Sequence, residues 1–171
     1  MRALFAIVGL ASLFACSSSG PSAAEPLPGD PAFVRDPKLD VANVSKHGET
    51  RSHNLGRNCM ECHQAHGPGR GRFTVAGTLY DETTRAPSAN GVLELKASPA
   101  ADAKVVLTVE VDALGNFFST EPLPFPDTPL FPTLKSADGS KRNAMPFPTI
   151  NGACNQCHVR GNLVDVKPPK E

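Results

Sequence analysis

Val105-Val106-Leu107-Thr108-Val109-Glu110-Val111 sets Leu107, Val109 and Val111 on one side of an extended chain and Thr108 and Glu110 on the other. A period of two sustained in this way is the signature of a half-buried strand. Asp112-Ala113-Leu114-Gly115-Asn116 closes the stretch with turn residues, and Phe117-Phe118 starts the next strand at once. Working outward, Val92-Leu93-Glu94-Leu95 and Phe73-Thr74-Val75-Ala76-Gly77-Thr78-Leu79-Tyr80 carry the same period upstream. Weaker strands follow downstream, one over 130–134 and one over 141–147 after the Asp138-Gly139 turn. The prediction is six strands: 73–80, 91–97, 104–112, 116–120, 130–134 and 141–147. Pro122, Pro124, Pro126, Pro129 and Pro132 have no N–H for a ladder, so this part is expected along an edge or across the surface. The expected fold is mainly β, a small antiparallel β-sandwich over 73–148.

The chain has 171 residues, with 17 Lys and Arg against 17 Asp and Glu, a balance that excludes a strongly basic nucleic-acid binder. No Trp, one Tyr and 17 Pro leave little large aromatic surface for a core, which points to something other than side chains helping to fill it. Both ends of the β region supply the explanation. Cys59-Met60-Glu61-Cys62-His63 precedes it and Cys154-Asn155-Gln156-Cys157-His158 follows it, each with the C-x-x-C-H form of a c-type haem attachment site. Two thiols three positions apart on one turn can form thioethers to the two vinyl groups of one porphyrin edge. The next residue then lies under the ring, where its imidazole reaches iron. Cys59, Cys62, Cys154 and Cys157 are therefore expected to carry two covalent haem c groups, with His63 and His158 as proximal ligands.

Three other uses of these cysteines compete. A disulfide within C-x-x-C closes a very short loop and stabilises little. One zinc shared by the four thiols is the second use, and a redox-active pair as in thioredoxin the third, which wants a βαβ context absent from this sequence. None of the three accounts for a His directly after the second Cys both times. Charge placement fits haem as well: residues 43–72 hold five bases against two acids and 135–171 six against three, whereas 73–134 hold three against eight. The basic excess lies where haem propionates would be.

The N-terminus reads as an export signal over 1–15: Met1-Arg2, then an apolar run over 3–14 too short to span a membrane, then Ala15-Cys16 before a polar Ser-rich stretch. Leu13-Phe14-Ala15-Cys16 resembles the lipobox of bacterial lipoproteins, which implies a lipid on Cys16, membrane attachment through it, and, with Ser17 after it, an outer-membrane destination. Ordinary signal-peptidase cleavage is the alternative. Residues 16–42 are Pro-rich without periodicity and read as a flexible tether. The expected order is then signal, tether, first haem segment (43–72), β-sandwich (73–148), and second haem segment with tail (149–171).

Ala76-Gly77-Thr78-Leu79-Tyr80-Asp81, Thr84, Pro87, Gly91-Val92, Asp112 and Gly115-Asn116-Phe117 resemble the transthyretin-like, or carboxypeptidase-regulatory-like, β-sandwich family. That resemblance implies a scaffold. The two motifs, with His53-Asn54-x-Gly56-x-Asn58 before the first and Met145 and Thr149-Ile150-Asn151-Gly152-Ala153 before the second, are similar to exported multihaem c-type cytochromes, small dihaem proteins in particular. It implies His53 and Met145 as further iron ligands. Ten residues separate His53 from His63, enough for about 33 Å of extended chain, so wrapping to the far haem face is feasible. His47 is an alternative to His53, His66 is too close to His63 to reach the opposite face of its own iron and could serve the other haem only if the two are close, and Met60 lies inside its own loop.

The function expected is a dihaem electron carrier, not an enzyme, lipid-anchored at the bacterial cell envelope and exchanging electrons with redox partner proteins. The alternatives are a binding or sensor module whose sandwich contacts a partner or polysaccharide, and a small haem enzyme with an open iron site. An even number of antiparallel strands returns the chain to the pole where it began, so six strands predict that both motifs share one pole.

Overall fold

Strand alternation places the core. Leu107 and Val109 turn inward while Thr108 and Glu110 face solvent, and Val111 is fully buried at the strand end. The structure, a computed structural model, describes residues 25–158 and 164–167. The strands are β1 Val75–Thr78, β2 Tyr80–Asp81, β3 Val92–Lys96, β4 Val105–Glu110, β5 Asn116–Ser119, β6 Phe131–Lys135, β7 Arg142–Ala144 and β8 Asp165–Val166. A short helix, α1, spans Cys154–Cys157. The fold is mainly β with antiparallel sheets and almost no helix, as the periodicity requires.

One sheet runs β4-β3-β6-β7, with β3 antiparallel to both neighbours. Against it lies the antiparallel pair β1–β5, in register from Val75↔Ser119 to Thr78↔Asn116. Between them, Val75, Leu79, Leu93, Leu95, Val109, Phe117, Leu130 and Leu134 form the core, joined by Val164 and Val166 from the tail. Leu123 and Phe125 of the Pro-rich stretch, with Cys154, pack against its margin.

Each expected strand has a counterpart, with two differences. The first, 73–80, breaks at Leu79: that residue's N–H turns to Gly115 O (2.8 Å), and the next, Tyr80 N–H, turns to Val164 O (2.8 Å). Hence β1 pairs with β5, while β2 takes β8 as a parallel partner. The second difference concerns Pro132, which sits in β6, an interior strand rather than an edge. Its carbonyl accepts Met145 N–H (3.0 Å). In an antiparallel strand a residue's N–H and C=O point to the same side, so the missing donor faces the short β7 and the ladder to β3 is kept.

The stretch expected as a tether starts to pack before residue 42. Arg35 is buried, donating to Asp40 (2.7 Å), to Leu39 O (3.1 Å) and to Gly67 O, and Gly71 N–H reaches back to Leu39 O (2.7 Å). The signal and Cys16 lie outside the described residues. Among the described residues no helix is long and apolar enough to cross a membrane.

Candidate functional site

The two C-x-x-C-H motifs fold into the same local shape. In the first, Asn58 caps a 3-10 turn over Cys59–Glu61, its side-chain oxygen accepting Met60 N–H (3.2 Å). In the second, Asn151 accepts Ala153 N–H (2.6 Å) just ahead of α1. His63 N–H then donates to Cys59 O and His158 N–H to Cys154 O, each at 3.0 Å. Each motif therefore sets its two thiols on one turn, with the His at the end of it.

Both turns converge on β1. The second reaches it from the side opposite β5, through an Ala76↔Ala153 bridge and an Ala76 N–H to Gly152 O bond (2.9 Å). Gly152 passes so close that a Cβ there would lie 2.0 Å from Thr74 O. A buried polar network ties in the first. Asn155, 2 % exposed, accepts Thr78 N–H (3.2 Å) and donates to Thr78 Oγ1 (3.1 Å) and to Arg57 O (2.9 Å). Thr78 Oγ1 also accepts Gly56 N–H (2.9 Å) and donates to Asn116 Oδ1 (2.6 Å). Asn116 Nδ2 in turn donates to Ser52 Oγ (2.9 Å) and His53 O (3.3 Å). Three buried residues thus hold the loop over 52–57 and the second motif to one strand pair. Since β1 and β2 are separated by a single residue and make one pass, the parity of six is preserved.

His63 is enclosed. Phe73 stacks on its ring at 4.0 Å between centroids and 5° between planes, and Phe118 stacks behind Phe73 at 4.8 Å. Gly69 also presses on the imidazole, where a Cβ would come within 2.6 Å of ring carbon. Nδ1 lies 3.0 Å from Arg70 O. A carbonyl only accepts, so Nδ1 carries the proton and Nε2 keeps its lone pair. Burial, above all, pushes the His63 pKa down and favours that neutral form. The His53 ring lies nearby, 6.1 Å between centroids and tilted by 33°.

His158 lines a different space. With Met145, Cys154, Leu93, Phe117, Leu134 and Val164 it borders a cavity of about 230 Å³, whose polar margin is Asn143, Asp165 and Lys167. Met145 N–H is fixed on Pro132 O just past the end of β7. The four sequence-derived ligands therefore fall into two groups, His53 with His63 and Met145 with His158. His47 is placed elsewhere: its Nε2 lies 3.0 Å from Gly91 O and its Nδ1 3.8 Å from Glu110.

Cys59, Cys62, Cys154 and Cys157 are all unpaired thiols. Burial pushes Cys59 up, and pushes Cys154 up to about 12 with the neighbouring Cys59 adding to the effect. A redox-active C-x-x-C site depends on a lowered thiol pKa, the opposite of this environment. Among the described residues no three His, Cys, Asp or Glu side chains come together so as to hold a metal ion. Part of the basic excess is taken up within the protein: Arg72 pairs with Asp40, Lys135 with Glu94, Lys141 with Asp81 and Lys167 with Glu82.

The Asn155–Thr78–Asn116 network was not legible in the sequence, because Asn155 occupies a variable position of its motif. Neither was the Phe73–His63 stack, since Phe73 reads as the start of a strand. Comparison with protein-family models, curated proteins and solved structures gives no match to this chain.

Proposed function

We propose that the chain is a dihaem c-type cytochrome that carries electrons at the bacterial cell envelope and is not an enzyme. The observation that supports this most is the shared His N–H to first-Cys O bond that closes a turn in each C-x-x-C-H motif, with both turns against β1. The donor set suits the group. Each turn offers two free thiols and an adjacent imidazole, and the protonated Nδ1 of His63, donating to Arg70 O, leaves Nε2 to act as a ligand, as metal-bound His usually does. Bound haem supplies a one-electron ferric/ferrous couple.

The protein's own contribution is attachment and placement. Cys59 and Cys62 fix one group and Cys154 and Cys157 the other, while His63 and His158 supply proximal nitrogen. Asn155, Thr78 and Asn116 hold the two segments at a set spacing, which is what exchange between two centres requires. Cys16 would carry lipid and tether the protein to the outer membrane, where it meets redox partner proteins.

Spectroelectrochemical titration of the exported protein tests the reading. Reversible uptake of two electrons per chain, with ferrous haem c bands and no sustained peroxide turnover, is expected. A colourless protein would contradict the haem assignment, and sustained turnover would replace the carrier with an enzyme. Cys16→Ala should move the protein out of the membrane fraction; recovery there unchanged would overturn the anchor.

A further inference from the structure

We propose that the two sites are unequal: His53 completes the site of His63 and Met145 completes the site of His158, so that the second site has the higher reduction potential. The inference rests on the dihaem reading and adds to it which side chain serves which site.

The first pairing follows from what surrounds His63. Phe73 covers a face of the imidazole, Gly69 presses against it, and Nδ1 is committed to Arg70 O. The Nε2 edge is what remains for a ligand. A metal–imidazole bond is about 2.0 Å, so two imidazoles that would hold one metal have their centroids on the order of 6 Å apart. The observed separation of His53 and His63 is 6.1 Å. The backbone of the His53 loop is held by Asn116, which donates to Ser52 Oγ and His53 O, while His53 itself is exposed. His47 is bound to Gly91 O on another part of the sandwich and does not compete.

The second pairing follows from the cavity. Met145 and His158 border one space of about 230 Å³ walled by Leu93, Phe117 and Leu134, and the Met145 backbone is anchored to β6. No other Met of the described residues borders it: Met60 lies within the first motif's own turn. A thioether is a flexible, polarizable donor. Methionine opposite histidine raises the potential of a haem site, whereas a second imidazole lacks that effect. Electrons placed on the protein would therefore rest preferentially on the Met145 side, which gives the carrier a polarity from the first motif to the second.

The test begins with intact mass, which counts covalent haems independently of their ligands. Given two, ferric wild-type protein should show the sulfur-to-iron charge-transfer absorption at the intensity of one haem and two distinct low-spin EPR signals. Met145→Leu should abolish the absorption and lower the more positive midpoint potential, leaving the other in place. His53→Leu should keep the absorption and convert the other haem from low to high spin. Two haems without the sulfur absorption in wild-type protein would overturn the pairing while leaving the dihaem reading intact, as would an absorption that survives Met145→Leu. Absence of covalent haem would overturn both. The pairing itself is read from the single-haem variants: Cys154→Ala/Cys157→Ala should lose the sulfur absorption and Cys59→Ala/Cys62→Ala should keep it, and the reverse would overturn the pairing.

Discussion

The two C-x-x-C-H segments share a backbone turn and differ in almost everything around it. The first His is buried between aromatic and glycine neighbours, with one ring nitrogen fixed by Arg70 O and a second imidazole close by. The second His borders an apolar cavity shared with a thioether, and its segment is held by strand-like contact with β1. A short motif fixes the covalent chemistry. The surrounding fold sets what each imidazole meets, and here it builds two different environments around one motif.

The largest expected effect removes what both segments rest on. Phe117 is fully buried, packs beneath β1 and lines the second cavity. Phe117→Ala should cost about 3–5 kcal/mol, the usual range for a core aromatic, and denaturant titration should show both sites loosening together. A protein that loses the second site's spectrum while the first stays intact would mean that the segments do not share this support.

Asn155→Leu acts on the link between them. It leaves Thr78 N–H and Arg57 O without their partner, a loss of about 1–3 kcal/mol for buried groups. Both groups should remain covalently attached while spin coupling between them weakens. Unchanged coupling would show that the network is structural only. Glycines separate the two sides. Gly152→Ala would drive a Cβ into Thr74 O and should destabilise by about 1–3 kcal/mol, as overpacking does, mainly through the second segment. Gly69→Ala should instead disturb the first, by displacing the His63 ring. Equal effects of either change on both spectra would break the comparison.

The smallest effect is acid sensitivity at the second side. Asp81 is held down to about 2, from an ordinary 3.8, first by its hydrogen bond from Lys141 and then by the backbone of Thr84. Because the folded value is the lower one, this stabilisation is present above the ordinary value and fades as pH falls through about 2. Lys141 adjoins β7, which leads to Met145, so Lys141→Met should flatten the acid limb of a melting-temperature profile. An unchanged limb would mean that the pair contributes nothing measurable, as exposed pairs often do.

How far the sequence carried this account depends on what kind of pattern each feature leaves. Strands such as 105–110 announce themselves through alternation, and the two motifs through fixed spacing. A two-residue strand such as β8 has no period to read, and a break at Leu79 depends on Gly115 and Val164, both distant in the chain. Pro132 looks like an edge residue until the short reach of β7 is known. Asn155, Thr78 and Asn116 are ordinary polar residues whose value lies in being buried together. Which of His53 and Met145 would serve which motif is open in the sequence for the same reason: both have enough chain to reach either site, and only the fold shows His53 beside His63 and Met145 on the cavity of His158.

The most direct test of the central claim is the intact mass of the exported full-length protein after denaturation and acid-acetone extraction. The account predicts the polypeptide mass plus two haems, falling to one haem in Cys59→Ala/Cys62→Ala and to one in Cys154→Ala/Cys157→Ala. A bare polypeptide mass, or a single haem on the unaltered chain, would contradict it.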